Sequence, residues 1–226
     1  GADRVLPPFS EYSSKKAQKF LEDMGVTIHL KTFVDNYEDN RMTTKGNLIL
    51  DTATFIWSAG VTGAAISGFE ETSLLPKINR YKVDRYNKVA GFQDIYAIGD
   101  IALMQTEDFP KGHPQVAQPA IQQGKNLAIN FKNKLKNKEL KPFSYFDKGS
   151  MATIGRNKAV VDIGKVRFAG FFAWFIWMFI HLWFLVGFRN RVVTFFNWTY
   201  SYINFDKAAR LIIRPFKQNK IIAEED

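Results

Sequence analysis

An uninterrupted apolar and aromatic stretch, FAGFFAWFIWMFIHLWFLVGF, occupies residues 168–188. It carries no charged residue, and His181 is its one ionisable side chain. As a single helix it would be about 30 Å long, which matches the hydrocarbon thickness of a bilayer. The chain has 21 Phe and 5 Trp, and their concentration in this stretch favours contact with a membrane over burial in a protein core. Basic residues flank the stretch, namely Lys165, Arg167, Arg189 and Arg191.

The stretch leaves two modes of membrane attachment open. A spanning helix fits the length, but basic residues at both ends give no orientation by the positive-inside rule. Alternatively, residues 168–203 form two aromatic helices that lie in the interface, or a hairpin that enters the lipid and returns. In the interfacial mode, Trp side chains lie at headgroup depth and Arg side chains contact lipid phosphates. The residues expected at the membrane are Phe168, Trp174, Trp177, Trp183, Arg189 and Arg191.

Charge and cysteine content narrow the classes of partner. Residues 1–119 carry 13 Lys and Arg against 15 Asp and Glu, a net charge of −2, whereas residues 120–226 carry 18 against 7, a net charge of +11. The basic C-terminal half predicts an anionic partner, either nucleic acid or lipid. Because the same half contains the apolar stretch, lipid headgroups are the favoured partner. We therefore expect no nucleic-acid partner. The chain contains no cysteine, which excludes a disulfide, a thiolate metal site and a redox-active cysteine pair within it.

Local patterns in the first 165 residues alternate between helix and strand, which predicts an α/β fold. Amphipathic helices are expected at 10–24, with Ser10 as its N-cap, and at 117–134. Strands are expected at 26–30, 52–60 and 94–98, with a hairpin turn at Lys45–Gly46 and another at 155–157.

Two of the expected strands end in small residues, where backbone can approach a planar ligand closely. The first ends at Ser58, Ala59 and Gly60, and the second, DIYAIGD, runs into Gly99 and Asp100. The carboxyl ends of sheet strands are where α/β folds bind ligands. A carboxylate there can accept hydrogen bonds from ribityl or ribose hydroxyls. The alternative is that Asp100 is a helix N-cap or a turn residue.

The second expected helix opens in the motif HPQVAQPAIQQG, at residues 113–124. Gln118 and Gln122 are four residues apart and so lie on one face. The positive end of a helix favours an anion such as the N1–C2=O region of a reduced flavin, and a Gln amide can donate to a quinone carbonyl. The alternative is a polar helix face in water.

Five segments together resemble the C-terminal half of a type II NADH dehydrogenase, a single-subunit NADH:quinone oxidoreductase that does not pump protons. They are TFIWSAGV, DIYAIGD, HPQVAQPAIQQG, YFDKGSMATIGRNKAVVDI and the aromatic tail ending in RLI. The resemblance implies a partial tandem Rossmann-type FAD/NAD(P)-binding fold with a C-terminal α-helical membrane-anchoring region. It implies that 1–60 belong to the NADH-binding domain and its return strands, 61–165 to the FAD-binding domain, and 166–226 to the anchor.

The resemblance also implies residue roles. Gly99 and Asp100 match the motif at the FAD pyrophosphate and ribityl chain, and Ala117 and Gln118 match the helix start beside the isoalloxazine. Gln118 and Gln122 match the pair that lines the quinone site, with Ile121 as an apolar wall. Ala59 and Gly60 match the strand end near flavin and nicotinamide. Residues 168–203 match helices that lie on the membrane, which favours the interfacial mode.

No GxGxxG occurs in the chain, and GVTGAA at 60–65 has the wrong spacing. The phosphate-binding loops are therefore expected upstream of Gly1, and we expect residues 1–226 alone to be inactive and to bind neither cofactor tightly. The implied activity is FAD-dependent electron transfer from NADH to a quinone, at the inner face of a bacterial membrane or at an organellar inner membrane, with homodimerisation left open. The alternatives are another quinone-linked flavoprotein, such as a sulfide:quinone oxidoreductase, and a non-enzymatic membrane-tethered domain.

Overall fold

The computed structural model describes residues 1–58, 60–64, 66, 74–75 and 78–204. Within these residues the strands form three three-stranded sheets, β1-β2-β3, β4-β5-β6 and β7-β8-β9. Paired strands are antiparallel except β5 and β6, which are parallel. In chain order the elements are α1 (Glu11–Glu22), β1 (Val34–Glu38), β2 (Arg41–Thr44), β3 (Ile49–Asp51), β4 (Leu74–Leu75), β5 (Arg80–Lys82), β6 (Ala102–Leu103), α2 (Ala117–Leu135), β7 (Ser150–Thr153), β8 (Ala159–Ile163), β9 (Val166–Gly170), α3 (Phe171–Phe184) and α4 (Phe188–Asn204).

Helix α1 forms where capping and amphipathic signals agree. The side chain of Ser10 accepts a hydrogen bond from the backbone N–H of Ser13, which satisfies one of the free donors of the first turn. Gly25, with φ of +82°, takes the left-handed conformation that ends the helix. Phe20 and Leu21 pack in a core against the third sheet. The first predicted helix is confirmed.

The central strand β8 is covered on both faces. Ala159, Val160 and Val161 are fully buried. Val160 packs in the core that contains Ala17 of α1, whereas Ala159 and Val161 pack with Ala173 of α3. This alternation follows from the two-residue period of a strand. The third sheet therefore packs against α1 on one face and against α3 on the other.

A carboxylate on β8 fastens α1 to this sheet. Asp162 accepts hydrogen bonds from the Ser10 backbone N–H (2.6 Å), the Ser10 hydroxyl (3.0 Å) and the Ser13 hydroxyl (2.5 Å). Arg167 Nε lies 3.3 Å from Asp162 Oδ1. Burial alone would raise the pKa of Asp162, but the hydrogen bonds from Ser13 and Ser10 and the charge of Arg167 outweigh it, so the pKa is lowered.

The Asp162→Ala substitution is expected to destabilise the full-length protein by about 2–3 kcal/mol, because it leaves several part-buried donors without an acceptor. Urea unfolding of the wild type and the variant at neutral pH measures this difference. The matched control is Asp51→Ala, which removes an ion pair with Arg41 whose two side chains are 73% and 61% exposed. That change should leave the free energy of unfolding close to the wild-type value, because solvent screens an exposed ion pair. Equal losses in the two variants would contradict this account of the α1 attachment.

Two expected strands do not form. Residues 26–30 and the described residues of 52–60 have no strand conformation, and Ile56 and Trp57 are 81% and 62% exposed. A strand requires a neighbour that pairs its backbone N–H and C=O groups, and no described strand pairs with either segment. Strand-like composition was therefore insufficient at both places, and the prediction was wrong.

The apolar stretch 168–188 is divided rather than a single helix. Phe168 and its two successors complete β9, which pairs with β8, and α3 starts only at Phe171. The chain then leaves helical geometry around Gly187, with φ of +86°, before α4 begins. Among the described residues, no helix combines the length and the apolar character needed to cross a bilayer. Of the alternatives left open by the sequence, the described residues form two helices here, α3 and α4, and not one continuous helix over 168–188.

Candidate functional site

A tight turn at Gly99–Ile101 brings the chain against the start of α2. The preceding residues are extended but make only an isolated bridge, between Tyr96 and Lys88, instead of the expected regular strand. Gly99 has φ of +71°, and its backbone N–H donates to Gln123 Oε1 at 2.7 Å. A Cβ placed on Gly99 would lie 3.2 Å from the Ala120 Cβ. The close approach and the left-handed backbone explain why glycine occupies this position.

The Asp100 side chain projects from this turn into the surroundings. It is exposed, and its carboxylate accepts no hydrogen bond from the described residues. The backbone is held, because the Asp100 carbonyl accepts from Gln115 Nε2 at 3.1 Å. The side chain is not an N-cap for α2, so it remains available to donors from outside this chain.

The first turn of α2 offers free backbone donors beside Asp100. Its N-cap residue, Val116, makes no side-chain capping bond, and the first turn holds no acidic residue. Uncapped N–H groups at a helix start carry partial positive charge and favour an anionic or electron-rich group. Ala117 begins the helix and Pro119 lies in its first turn, where a missing N–H has little cost. The predicted helix at 117–134 is confirmed.

Gln118 and Gln122 lie on one face of α2, as their spacing predicts, and both hold a neighbouring segment. Gln118 Nε2 donates to the Gly149 carbonyl (2.7 Å), and its Oε1 accepts from the Lys148 N–H (3.1 Å). Gln122 Nε2 donates to the Phe146 carbonyl (2.8 Å), and its Oε1 accepts from the Phe146 N–H (3.0 Å). Each amide keeps one further N–H for another acceptor.

The remaining site residues predicted from the sequence lie in open surroundings. Ile121 is 56% exposed on α2. Gly60 has φ of +89°, and a Cβ placed on it would meet no described atom within 4 Å. Ala59 lies outside the described residues. The structure therefore brings Gly99, Asp100, Ala117 and Gln118 to one place, whereas the contribution of the 59–60 segment stays a prediction.

Two buried polar residues behind the turn were missed. Arg80, 7% exposed, donates to the carbonyls of Ala102 (2.5 Å) and His113 (3.4 Å). Burial lowers the pKa of Arg80, and the charge of Asp100 opposes that shift. The ring of His113 lies 4.7 Å from Phe109 and 5.4 Å from Phe143 between centroids. His113 is the first residue of the HPQ motif, which was the available signal in the sequence.

The buried His113 is expected to make stability fall in mild acid. Burial and the charge of Arg80 lower its pKa, and neither ring nitrogen has a hydrogen-bond partner among the described residues. The unfolded chain, with a His pKa of about 6.5, then binds the proton more readily than the folded protein. This contribution is therefore present above about pH 6.5 and is lost as the pH falls below it.

Urea unfolding of the full-length protein at pH 7.5 and at pH 5 checks this expectation. The loss of stability between the two pH values should be smaller in His113→Phe than in the wild type. The exposed His29 offers a matched control, and His29→Gln should keep the loss found in the wild type. Equal losses in all three proteins would show that His113 does not titrate in this way.

The aromatic helix pair, defined here as α3 and α4, is joined by stacked rings. Trp177 stacks on Trp198 with centroids 5.9 Å apart, and Trp174 lies 5.5 Å from Tyr202. Trp174 also packs against the core of the third sheet. Trp174 and Trp177 are half-buried, so part of each ring packs within the helix pair itself.

The outer surface of the pair is apolar and exposed. Trp183 is 61% exposed, and Arg191 lies with its guanidinium 5.4 Å from that ring while Nε donates to the Leu185 carbonyl. Arg189 is exposed. Large side chains beyond the predicted set share this surface: Phe172, Phe175, Phe179, Phe184, Phe188 and Phe196, all at least 48% exposed. The spacing of three and four residues between Phe172, Phe175 and Phe179 was the available signal in the sequence.

An open cleft of about 500 Å³ lies at the far end of α2 and contains none of the predicted site residues. Its walls include Tyr96, Phe131 and Asn130. The functional assignment therefore rests on the Gly99–α2 turn, which forms an open surface among the described residues, and not on this cleft.

Two family models match separate parts of the chain. Residues 1–124, more than half of the sequence, match the model of the pyridine nucleotide-disulphide oxidoreductases. Residues 148–204 match the NDH2 C-terminal domain. The second match covers the third sheet and the aromatic helix pair.

Curated relatives are consistent with both models. The chain is 34% identical over 218 residues to the type II NADH:quinone oxidoreductase Ndh of Mycobacterium tuberculosis, covering 90% of this chain and 45% of that protein. It is 36% identical to the mitochondrial internal alternative NAD(P)H-ubiquinone oxidoreductase A1 of Arabidopsis thaliana, covering 88% of this chain and 42% of that protein. The chain thus spans a little under half the length of these relatives.

Solved structures share the fold. NDH2 from Plasmodium falciparum, in complex with NADH, matches with a TM-score of 0.77 at 18% identity, over 89% of this chain and 56% of that one. The sulfide:quinone oxidoreductase from Aquifex aeolicus matches with a TM-score of 0.63 at 13% identity, over 84% and 49%. The α/β class and the resemblance inferred from the motifs are confirmed. The chain belongs to the pyridine nucleotide-disulphide oxidoreductase family and is similar, within it, to the type II NADH:quinone oxidoreductases.

Proposed function

We propose that this chain is the C-terminal part of an FAD-dependent enzyme that transfers electrons from NADH to a membrane quinone without pumping protons. The observation that carries the proposal is the exposed Asp100 carboxylate, which accepts no hydrogen bond from the described residues and lies beside the uncapped first turn of α2. Family membership and the relatives' activities support it. The proposed division into 1–60, 61–165 and 166–226 follows the same assignment.

The residues around Asp100 fit the ribityl end of FAD. An exposed carboxylate can accept hydrogen bonds from polyol hydroxyls, and the glycine at 99 lets the backbone approach closely. The N–H groups at Ala117 and Gln118 would face the isoalloxazine, where the helix start stabilises negative charge. Ala59 and Gly60 are proposed to lie near flavin and nicotinamide. When bound, FAD would accept two electrons from NADH and pass them to a quinone.

The chain's own contribution towards quinone is proposed to be an amide pair with an apolar wall. Gln118 and Gln122 each retain one N–H that can donate to a quinone carbonyl, and Ile121 presents an exposed aliphatic side chain between them. Their other hydrogen bonds fix the direction of that N–H. Positioning and exclusion of water, rather than covalent chemistry by a side chain, are what these residues supply.

The aromatic helix pair is proposed to bind the membrane from one side. Its exposed rings provide apolar surface for the acyl boundary, and Arg189, together with the +11 charge of residues 120–226, favours anionic headgroups. This attachment would present the enzyme to a quinone dissolved in lipid, at a bacterial cytoplasmic membrane or an organellar inner membrane. A homodimer is compatible with the assignment.

Charge placed on the aromatic surface is expected to weaken membrane binding. The Phe179→Glu substitution replaces a 57% exposed ring and should lower the affinity for anionic vesicles by about tenfold, since a buried Phe contributes about 1.5–3 kcal/mol. Vesicle co-sedimentation of the full-length protein measures this. The matched control is Leu135→Glu, on α2, where the leucine is 87% exposed. Unaltered binding by Phe179→Glu would remove the helix pair from the proposed membrane contact.

A second candidate is a sulfide:quinone oxidoreductase, which the fold likeness to the Aquifex aeolicus enzyme favours. The two candidates differ in their electron donor. The full-length protein in vesicles that contain quinone should consume NADH and form quinol in equal amounts. Quinol formation with sulfide but not with NADH would support the second candidate instead.

A further inference from the structure

Helix α2 carries a row of carboxamide side chains along one face. Gln118, Gln122, Asn126 and Asn130 follow one another at four-residue intervals, and Asn133 continues the row. Four-residue spacing places these side chains one above another on a helix. We call these five residues the carboxamide row. Asn130 is only 3% exposed, so the row is anchored in the protein and not merely a solvated surface.

The carboxamide row binds the backbone of residues 139–149, which have no regular secondary structure before β7. Besides the four bonds of Gln118 and Gln122, Asn130 Nδ2 donates to the Lys141 carbonyl at 2.9 Å, and its Oδ1 accepts from the Lys141 N–H at 2.8 Å. Asn126 Nδ2 donates to the same carbonyl at 3.2 Å, and Asn133 Nδ2 donates to the Glu139 carbonyl at 3.0 Å. Every member of the row therefore holds this segment.

These side-chain hydrogen bonds take the place of the backbone hydrogen bonds that a neighbouring strand would form. Gln122 binds both the N–H and the C=O of Phe146, and Asn130 does the same for Lys141. A carboxamide has the same donor and acceptor pair as a peptide group, so it can satisfy both groups of one residue. Phe143, which lies between these two residues, is held separately, because its N–H donates to the Arg85 carbonyl and its C=O accepts from the Arg85 guanidinium.

Residues 139–149 connect the carboxamide row to the aromatic helix pair. Phe143 is buried in the core beside His113, which fixes the segment between its two ends. Farther on, Lys148 Nζ lies 5.4 Å from the ring of Phe184 in α3. Phe146, which Gln122 holds through its backbone, is 69% exposed. A displacement of the segment would therefore change both the orientation of the glutamine amides and the surface next to them.

We propose that Asn126 and Asn130 are positioning residues for the quinone site: by fastening residues 139–149 to α2, they hold the backbone that orients the amides of Gln118 and Gln122. The expected effect on quinone reduction rests on the proposed function. The attachment of residues 139–149 to α2 does not depend on any activity. Asn126 and Asn130 do not contact the quinone and act through the segment.

The test compares Asn130→Ala and the milder Asn126→Ala with the wild type in the full-length protein. Hydrogen exchange of the backbone amides of Lys141, Phe146 and Lys148 should be at least tenfold faster in Asn130→Ala. The kcat/KM for a vesicle-bound quinone should fall about tenfold, whereas NADH-to-ferricyanide activity and FAD content stay within twofold. Asn130→Asp, which keeps the acceptor for the Lys141 N–H, should give intermediate values. The control is Lys132→Ala, an exposed side chain on the same helix.

Three results would overturn the inference. Unchanged exchange at Phe146 and Lys148 would show that the asparagines do not hold the segment. Faster exchange with an unchanged kcat/KM for quinone would show that the segment does not position the site. Equal losses of quinone and ferricyanide activity would indicate a general structural role. A wild-type protein with no NADH:quinone activity would refute the proposed function instead. The exchange data would then test only whether the asparagines hold residues 139–149 on α2.

Discussion

The Asp100→Ala substitution is expected to weaken FAD binding by about 100-fold while the fold remains intact. A carboxylate that accepts two hydroxyl hydrogen bonds contributes about 1.5 kcal/mol or more from each, and 1.4 kcal/mol corresponds to a factor of ten. The carboxylate accepts no hydrogen bond from the described residues, but its charge favours the buried Arg80 guanidinium, so the stability of the apoprotein is measured as well. FAD titration of the full-length apoprotein measures the affinity, and thermal unfolding of the apoprotein tests that the fold is unchanged.

Two further variants make the Asp100 test specific. Asp100→Asn retains one acceptor oxygen and should lose less affinity than the alanine variant. Asp108→Ala removes an exposed carboxylate from the following loop and should bind FAD like the wild type. The same FAD affinity in Asp100→Ala and the wild type would support the non-enzymatic tether and exclude the assigned role of this carboxylate.

The Gln122→Leu substitution is expected to lower quinone reduction by about 30-fold, since a hydrogen bond and its orienting contact together contribute about 2 kcal/mol. The variant loses the N–H proposed to meet the quinone carbonyl and both bonds to Phe146. Ferricyanide accepts electrons without that amide, so NADH-to-ferricyanide activity should be spared. Steady-state rates with the two acceptors, measured on one preparation of the full-length protein, give the comparison.

The control for Gln122→Leu is Gln18→Leu, which removes an amide from α1 that forms an exposed hydrogen bond to Glu22 across one helical turn. It should leave both activities unchanged. Equal loss of quinone and ferricyanide activity in Gln122→Leu would withdraw the residue from the quinone site, because the defect would then lie in NADH oxidation or in FAD binding.

Elements with local signals were predictable from the sequence. The Ser10 cap, the glycine stop at 25 and the amphipathic spacing predicted α1, and Lys45–Gly46 does lie in the connection between β2 and β3. The turn at Gly155 and Asn157, both at positive φ, joins β7 to β8 as expected. In each of these cases, residues within a few positions of one another determine the conformation.

Elements that depend on distant partners were not predictable. Residues 26–30 have strand composition but no described strand beside them, whereas Phe168 pairs with Val161 of β8 and so leaves the helix to which its hydropathy assigned it. The site depends on distant pairs as well. Gly99 donates to Gln123, which is 24 positions away, and Arg80 donates to the His113 carbonyl, which is 33 positions away. Hydropathy and spacing carry no information about such pairs.

The most direct test of the account is the absorbance of the full-length protein purified from membranes. We expect a yellow preparation that contains about one FAD per chain, loses its visible absorbance when NADH is added under anaerobic conditions, and recovers it on addition of a quinone. A colourless preparation that neither binds added FAD nor oxidises NADH would contradict the central claim.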